Sequence, residues 1–209
     1  MRLLIVVAIL LVARSSGRAQ DFQSWNEVDL TASWHKVDFL VPLLARTDSS
    51  LPNPQLAATG MTADLPQRWH LTLTAGYLFA DLPQKPAHAH VPLVALTPAL
   101  RFGRLSIADR NRFEKLFAYA NQPVRYRNRL LVDEVLGNSR RWHVFVQNEA
   151  IWDLTDAAWS QNRLQGGAGS RLDRHFSLDV YYLRRNAAGG AAPVNVLGTT
   201  LRVSLTPAR

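Results

Sequence analysis

"DRNRFEKLF" at residues 109–117 and "VRYRNRLLVDE" at 124–134, separated by a short Pro-containing break, decide how the rest of the 209-residue chain is read. In an extended strand alternate side chains share a face. One face of the first stretch then carries Arg110, Arg112 and Glu114, and one face of the second carries Arg125, Arg127, Arg129 and Asp133. Tyr126, Asn128, Leu130 and Val132 fall on the back of the second. Two neighbouring strands with five Arg on matching faces predict a wall charged on one side. Which side meets water decides the function.

The same period of two runs outward in both directions, while helical periodicity is scarce. Towards the N-terminus, Val28, Leu30, Ala32 and Trp34 alternate with Glu27, Asp29, Thr31 and Ser33. Val37, Phe39, Val41, Leu43 and Ala45 share the next face, and "TDSSLPNP" is turn chemistry. A weak strand over 60–65 is closed by "PQR", and Trp69, Leu71, Leu73, Ala75, Tyr77 and Phe79 form a clean apolar face. "DLPQKPAHAH" is expected to be a loop and 91–101 a strand. Towards the C-terminus, Trp142, Val144, Val146, Ala150 and Trp152 oppose His143, Gln147, Glu149 and Asp153, with Asn148 a polar exception on the apolar face. Strands over 159–171, 176–182 and 194–205 complete the series.

About eleven strands result, and their links alternate. Those near residues 35, 66, 103, 138 and 173 are short; those near 50, 85, 120, 156 and 189 are longer. Outer-membrane barrels have short turns at one end and longer loops at the other. Bacterial single-chain barrels use even strand numbers. The expected fold is therefore an all-β, antiparallel up-and-down transmembrane barrel of ten or twelve strands.

"MRLLIVVAILLVARSSGRAQ" has the layout of a secretory signal peptide, with cleavage expected after Ala19. Residues 20–209 then form one barrel domain. No later stretch approaches the ~20 apolar residues of a spanning helix. The formal charge is +8, of which Arg2, Arg14 and Arg18 lie in the leader. The remaining Arg are spread through alternating strands, which argues against nucleic acid and for an anionic ligand or surface. Cysteine is absent, which removes disulfides, thiolate metal sites and Cys nucleophiles.

A soluble lipocalin-like barrel and a transmembrane barrel share this period but invert the faces. Trp142 and Trp152 are ten positions apart on one face, as are Trp69 and Phe79. At ~3.3 Å per residue and a tilt near ~45°, ten positions climb about 23 Å, close to an apolar band of ~25 Å between aromatic girdles. Turned inward, the charged faces let Arg pair with Glu and Asp in a polar lumen. Asp109, Asn111 and Lys115, on the back of their strand, would be costly in mid-bilayer unless a bulge or a position beyond the interface relieves them.

The ordered set "RNRFEKLF", "VRYRNRLL", "VQNEAIWD" and "SQNRLQGGAGSRL" resembles a bacterial outer-membrane barrel family known only as domain of unknown function 2490. The resemblance runs in order across most of the chain beyond the leader. It implies an outer-membrane barrel and brings no established activity. Such barrels often end in an aromatic residue, whereas "VSLTPAR" does not.

No metalloprotease, phosphate-loop, nucleophile-elbow or dinucleotide motif is present, and no cofactor or metal is expected. His88 and His90 sit together in the expected loop without identifiable partner ligands. "GGAGS" at 166–170 lies inside a strand, where Gly allows a bend or close approach at a barrel wall. The candidate site is a lumen charge network of Arg110, Arg112, Glu114, Arg125, Arg127, Arg129, Glu149, Asp153 and Arg163. It would either rigidify the lumen or form a cationic constriction for small anions. The expected protein is a non-enzymatic outer-membrane barrel of a Gram-negative bacterium. Its expected partners are outer-membrane lipid and lipopolysaccharide, the assembly machinery and small anions. A soluble periplasmic barrel holding a hydrophobic ligand is the alternative. A lipid-modifying enzyme using Ser170 and His175 is the weaker one.

Overall fold

The computed structural model describes residues 22–48, 51–67, 70–81, 88–117 and 122–206. The expected signal peptide and Trp69 lie outside them. Eleven strands follow in order: β1 (Phe22–Trp34), β2 (Val37–Asp48), β3 (Leu51–Gln67), β4 (Leu71–Asp81), β5 (His88–Phe102), β6 (Leu105–Lys115), β7 (Val124–Leu136), β8 (Trp142–Asp153), β9 (Ala158–Arg171), β10 (Phe176–Ala187) and β11 (Val194–Ser204). Each pairs antiparallel with its neighbours in sequence, and β1 closes the barrel against β11 in parallel. Among the described residues no helix is long and apolar enough to cross a membrane, which leaves crossing by strands open.

Two expectations are corrected here. The strands number eleven, not ten or twelve, and the barrel is not antiparallel throughout. The two corrections have one cause. In an up-and-down meander an odd count leaves the first and last strands pointing the same way, so the seam must be parallel. Ten register pairs, from Phe22↔Asn195 to Thr31↔Ser204, make that seam continuous.

One rim carries the links 35–36, 68–70, 103–104, 137–141 and 172–175; the other carries 49–50, 82–87, 116–123, 154–157 and 188–193. Two-residue turns need a positive φ, which His35 (+56°) and Gly103 (+62°) supply at the first rim. The link at 49–50 is as short as these, against expectation. β3 begins at Leu51 and runs 17 residues, through the stretch read as a turn and past the end of the weak strand. His88 and His90 belong to β5 rather than to a loop.

Most strands turn large apolar side chains outward, whereas β5 buries Val91, Leu93 and Ala95 on its inner face and leaves His88 and His90 exposed. Trp34, Phe102, Trp142 and Phe176 are exposed on the outer surface at the first rim, and Trp34 and Trp142 are 66% and 59% accessible. Towards the second rim Phe113, Tyr126 and Trp152 follow one another across β6, β7 and β8 with ring centroids 5.1 and 6.0 Å apart. Between the two bands lie exposed Leu73, Val94, Leu130, Val180 and Leu197.

A polar island on the outer face of β6 and β7 satisfies itself. The Asn128 amide donates to Asp109 (2.6 Å) and Asn111 (3.2 Å), and the Tyr126 hydroxyl donates to Asn111 (2.5 Å). Asn148 and Asn162 bond each other in both directions at 3.2 and 3.0 Å. No bulge relieves this stretch, because β6 and β7 pair continuously from Leu105↔Glu134 to Lys115↔Val124. Mutual hydrogen bonding does that work instead.

Inside, a cluster of Trp25, Phe145, Tyr181, Leu183, Val194 and Val196 fills one side of the lumen. Inward-facing glycines make room for it. A Cβ on Gly198 would run into the Tyr181 ring, and one on Gly167 would come within 2.8 Å of Phe145. The expected close approach at "GGAGS" is therefore present at Gly167 and Gly169.

Candidate functional site: a guanidinium-rich lumen

Register assembles the site. A single inward row crosses five strands: Arg110 on β6 faces Arg129 on β7, which faces Glu149 on β8, which faces Arg163 on β9, which faces Arg185 on β10. That row holds four guanidiniums and one carboxylate. In the next row Arg112 faces Arg127. Like charges directly opposite each other repel, so such rows persist only with counter-charges at hand.

Two carboxylates serve as hubs. Glu149 accepts from Arg127 (2.7 Å), Arg110 (3.3 Å) and Arg163 (3.3 Å), with its side chain 7% accessible. Glu114 accepts from Arg112 and from Arg127 (3.4 Å). Arg127 thus bridges both hubs. Arg46 and Arg163 stack over Trp25 at 3.9 and 5.6 Å from the ring centroid, joining the network to the apolar cluster.

Of the nine residues expected here, six form the network: Arg110, Arg112, Glu114, Arg127, Glu149 and Arg163. Arg125 and Arg129 line the same wall, but among the described residues neither has a carboxylate within 4 Å. Asp153 is diverted. Its Oδ1 accepts backbone N–H bonds from Thr155 (3.0 Å) and Asp156 (3.4 Å) and holds the 154–157 turn.

A second cluster, not singled out from the sequence, sits nearer the first rim. His143 reaches Asp133 through Nδ1 (2.6 Å) and Asp179 through Nε2 (3.0 Å), tying β7 to β8 and β10. With both ring nitrogens against carboxylate oxygens, an imidazolium donating twice satisfies the geometry. Asp179 also accepts from Arg202 on β11 (2.7 Å). Gly169 makes this possible, since a Cβ there would strike both Asp179 Oδ1 and His143 Nε2. Gly169→Ala is accordingly expected to cost about 1–3 kcal/mol in urea unfolding, the range for overpacking. An unchanged midpoint would contradict the packing described.

Above this cluster opens a cavity of about 320 Å³ at the first rim, lined by Arg140, Arg141, Arg171, Arg174 and Arg202 among others. Asp173 lies beside them, but its carboxylate accepts N–H bonds from His175 (2.7 Å) and Phe176 (2.8 Å), which hold its pKa below the usual range. The mouth is strongly basic.

The remaining candidates are not assembled. No hydrogen bond joins Ser170 to His175, whose Nδ1 lies 2.8 Å from the Ser204 carbonyl. His90 is exposed on the outer face, with Nδ1 2.6 Å from the Tyr77 hydroxyl. Among the described residues no group of three or more His, Asp or Glu could hold a metal. No curated protein matches the chain. The family described as "Protein of unknown function (DUF2490)" matches residues 22–194, and the chain belongs to that family.

Proposed function

We propose that this chain is an outer-membrane β-barrel of a Gram-negative bacterium, with a narrow, charge-packed lumen that favours small anions and no catalytic centre. The observation that carries the reading is the inversion of polarity: exposed Leu, Val and aromatic side chains outside, guanidiniums inside. Two aromatic bands bounding an apolar wall match the girdles of a membrane-spanning barrel. The self-satisfied Asp109–Asn111–Asn128 island reduces the penalty for polar groups on that wall.

A soluble barrel that binds a hydrophobic ligand needs an apolar cavity, whereas here one side of the lumen is an Arg–Glu network and the other is filled by packed aromatic and aliphatic side chains. A lipid-modifying enzyme needs a nucleophile within reach of its base, and Ser170 and His175 have no bond between them. Both alternatives fit the side chains less well.

Cell fractionation should place the protein in the outer-membrane pellet, and boiling should shift its mobility on a denaturing gel. Release by osmotic shock with unchanged mobility would overturn the membrane reading. In planar bilayers under a KCl gradient, the reversal potential should show chloride preferred over potassium. Silence at all voltages would remove the channel and leave a structural barrel.

A further inference from the structure

We infer that the lumen holds a bound inorganic oxyanion of the sulfate or phosphate class, seated against Arg129 and Arg110. The inference rests on the cationic lumen of the proposed function and goes further, from a general preference for anions to a defined site.

Arg110 and Arg129 lie directly opposite each other on β6 and β7. The equivalent pair one row on, Arg112 and Arg127, is bridged by Glu114, which bonds both. The Arg110–Arg129 pair has no such bridge. Glu149 stands beside Arg129 in register, yet its oxygens are taken by Arg110, Arg127 and Arg163. Arg129 is left with no carboxylate within 4 Å among the described residues.

A guanidinium cannot escape this by losing its proton. A half-buried charge that faces a second guanidinium without a carboxylate partner is costly, and a counter-ion relieves that cost. The donor geometry points the same way. Arg110 and Arg129, directly opposite each other on adjacent strands, carry more donors than a halide can bridge. An oxyanion offers three or four acceptor oxygens and matches the fork bidentately. The basic mouth at the first rim, with Arg140, Arg141 and Arg171, supplies an attractive approach.

The test uses the purified full chain folded in detergent, with thermal unfolding followed by Trp fluorescence. Sodium sulfate should raise the midpoint by several degrees over sodium gluconate at equal ionic strength, because a ligand that binds only the folded state stabilises it. Arg129→Met should lose that difference while showing a higher midpoint in gluconate, since repulsion with Arg110 is gone. Arg129→Gln should lose it as well, should the Met variant fail to fold. The rim variant Arg171→Ala should keep it. Equal midpoints in sulfate and gluconate would overturn the inference, as would a sulfate effect retained in both Arg129 variants or abolished in Arg171→Ala. A sulfate effect in a barrel that stays electrically silent would keep this site and remove only the channel. Conductance without a sulfate effect would do the reverse.

Discussion

Replacing Glu149 by Gln is expected to destabilise the folded barrel by about 3–5 kcal/mol, the usual cost of removing one partner from a buried charge cluster. The size follows from what remains. Arg110, Arg127 and Arg163 all bond Glu149, and only Arg127 has a second carboxylate, Glu114. The neutral amide keeps the volume but offers one acceptor in place of two charged oxygens, and its NH₂ points donors at donors. Arg110 and Arg163 are then left without a bonded carboxylate. Urea titration of barrels folded in lipid vesicles, followed by Trp fluorescence, measures the loss. Asp153→Asn is the comparison. Its carboxylate caps a turn outside the network, so about 1 kcal/mol or less is expected. Removing a guanidinium at the same time should recover part of the deficit. In a double-mutant cycle, Glu149→Gln with Arg163→Met should therefore lose less than the sum of the single changes. Equal losses for Glu149→Gln and Asp153→Asn would mean that the lumen network contributes nothing particular to the fold.

The sequence carried the wall and most of its charge, because both follow from a period of two and from local order. Arg110 and Arg112 share a face of β6, and Arg127 and Arg129 a face of β7, by the period of two alone, and the register turned both faces inward. What the sequence hid depends on long-range geometry. His143 and Asp179 are 36 positions apart and meet across β9, which no local pattern reveals. Gly169, in a motif whose purpose looked general, clears the space for that meeting. Asp153 lies at the right parity for the lumen but at a strand end, where free backbone N–H groups compete for its carboxylate. β3 was undersized because Pro52, Pro54, Gly60 and Pro66 interrupt the alternation, although a strand of 17 residues passes through them. The strand count failed differently. The residues themselves counted to eleven, and the habit of even-numbered bacterial barrels outweighed that count. Parity then decided the parallel seam between β1 and β11.

Val180→Arg separates a barrel in lipid from a barrel in water more sharply than any change in the lumen. Val180 lies on the outer face near the middle of β10, 46% accessible, and pairs in register with Ala168 and Thr199. If hydrocarbon surrounds this wall, an arginine there must bury its charge or drag it to the interface. That costs about 2–4 kcal/mol at the bilayer midplane. The same substitution at Trp142, which begins β8 at the first rim, should cost about 0–1 kcal/mol, because depth governs the penalty. If water surrounds the wall, the order vanishes: exposed apolar-to-charged changes on a soluble surface stay within about 0.5 kcal/mol. The measurement is reversible unfolding in lipid vesicles for the two variants beside the wild type. The expected result is a depth-dependent loss, large at Val180 and small at Trp142. Equal, near-zero losses at both positions would turn the apolar wall back toward solvent, and the membrane reading would go with it. The lumen network would survive that outcome, since Glu149 and its guanidiniums are held by register whatever lies outside.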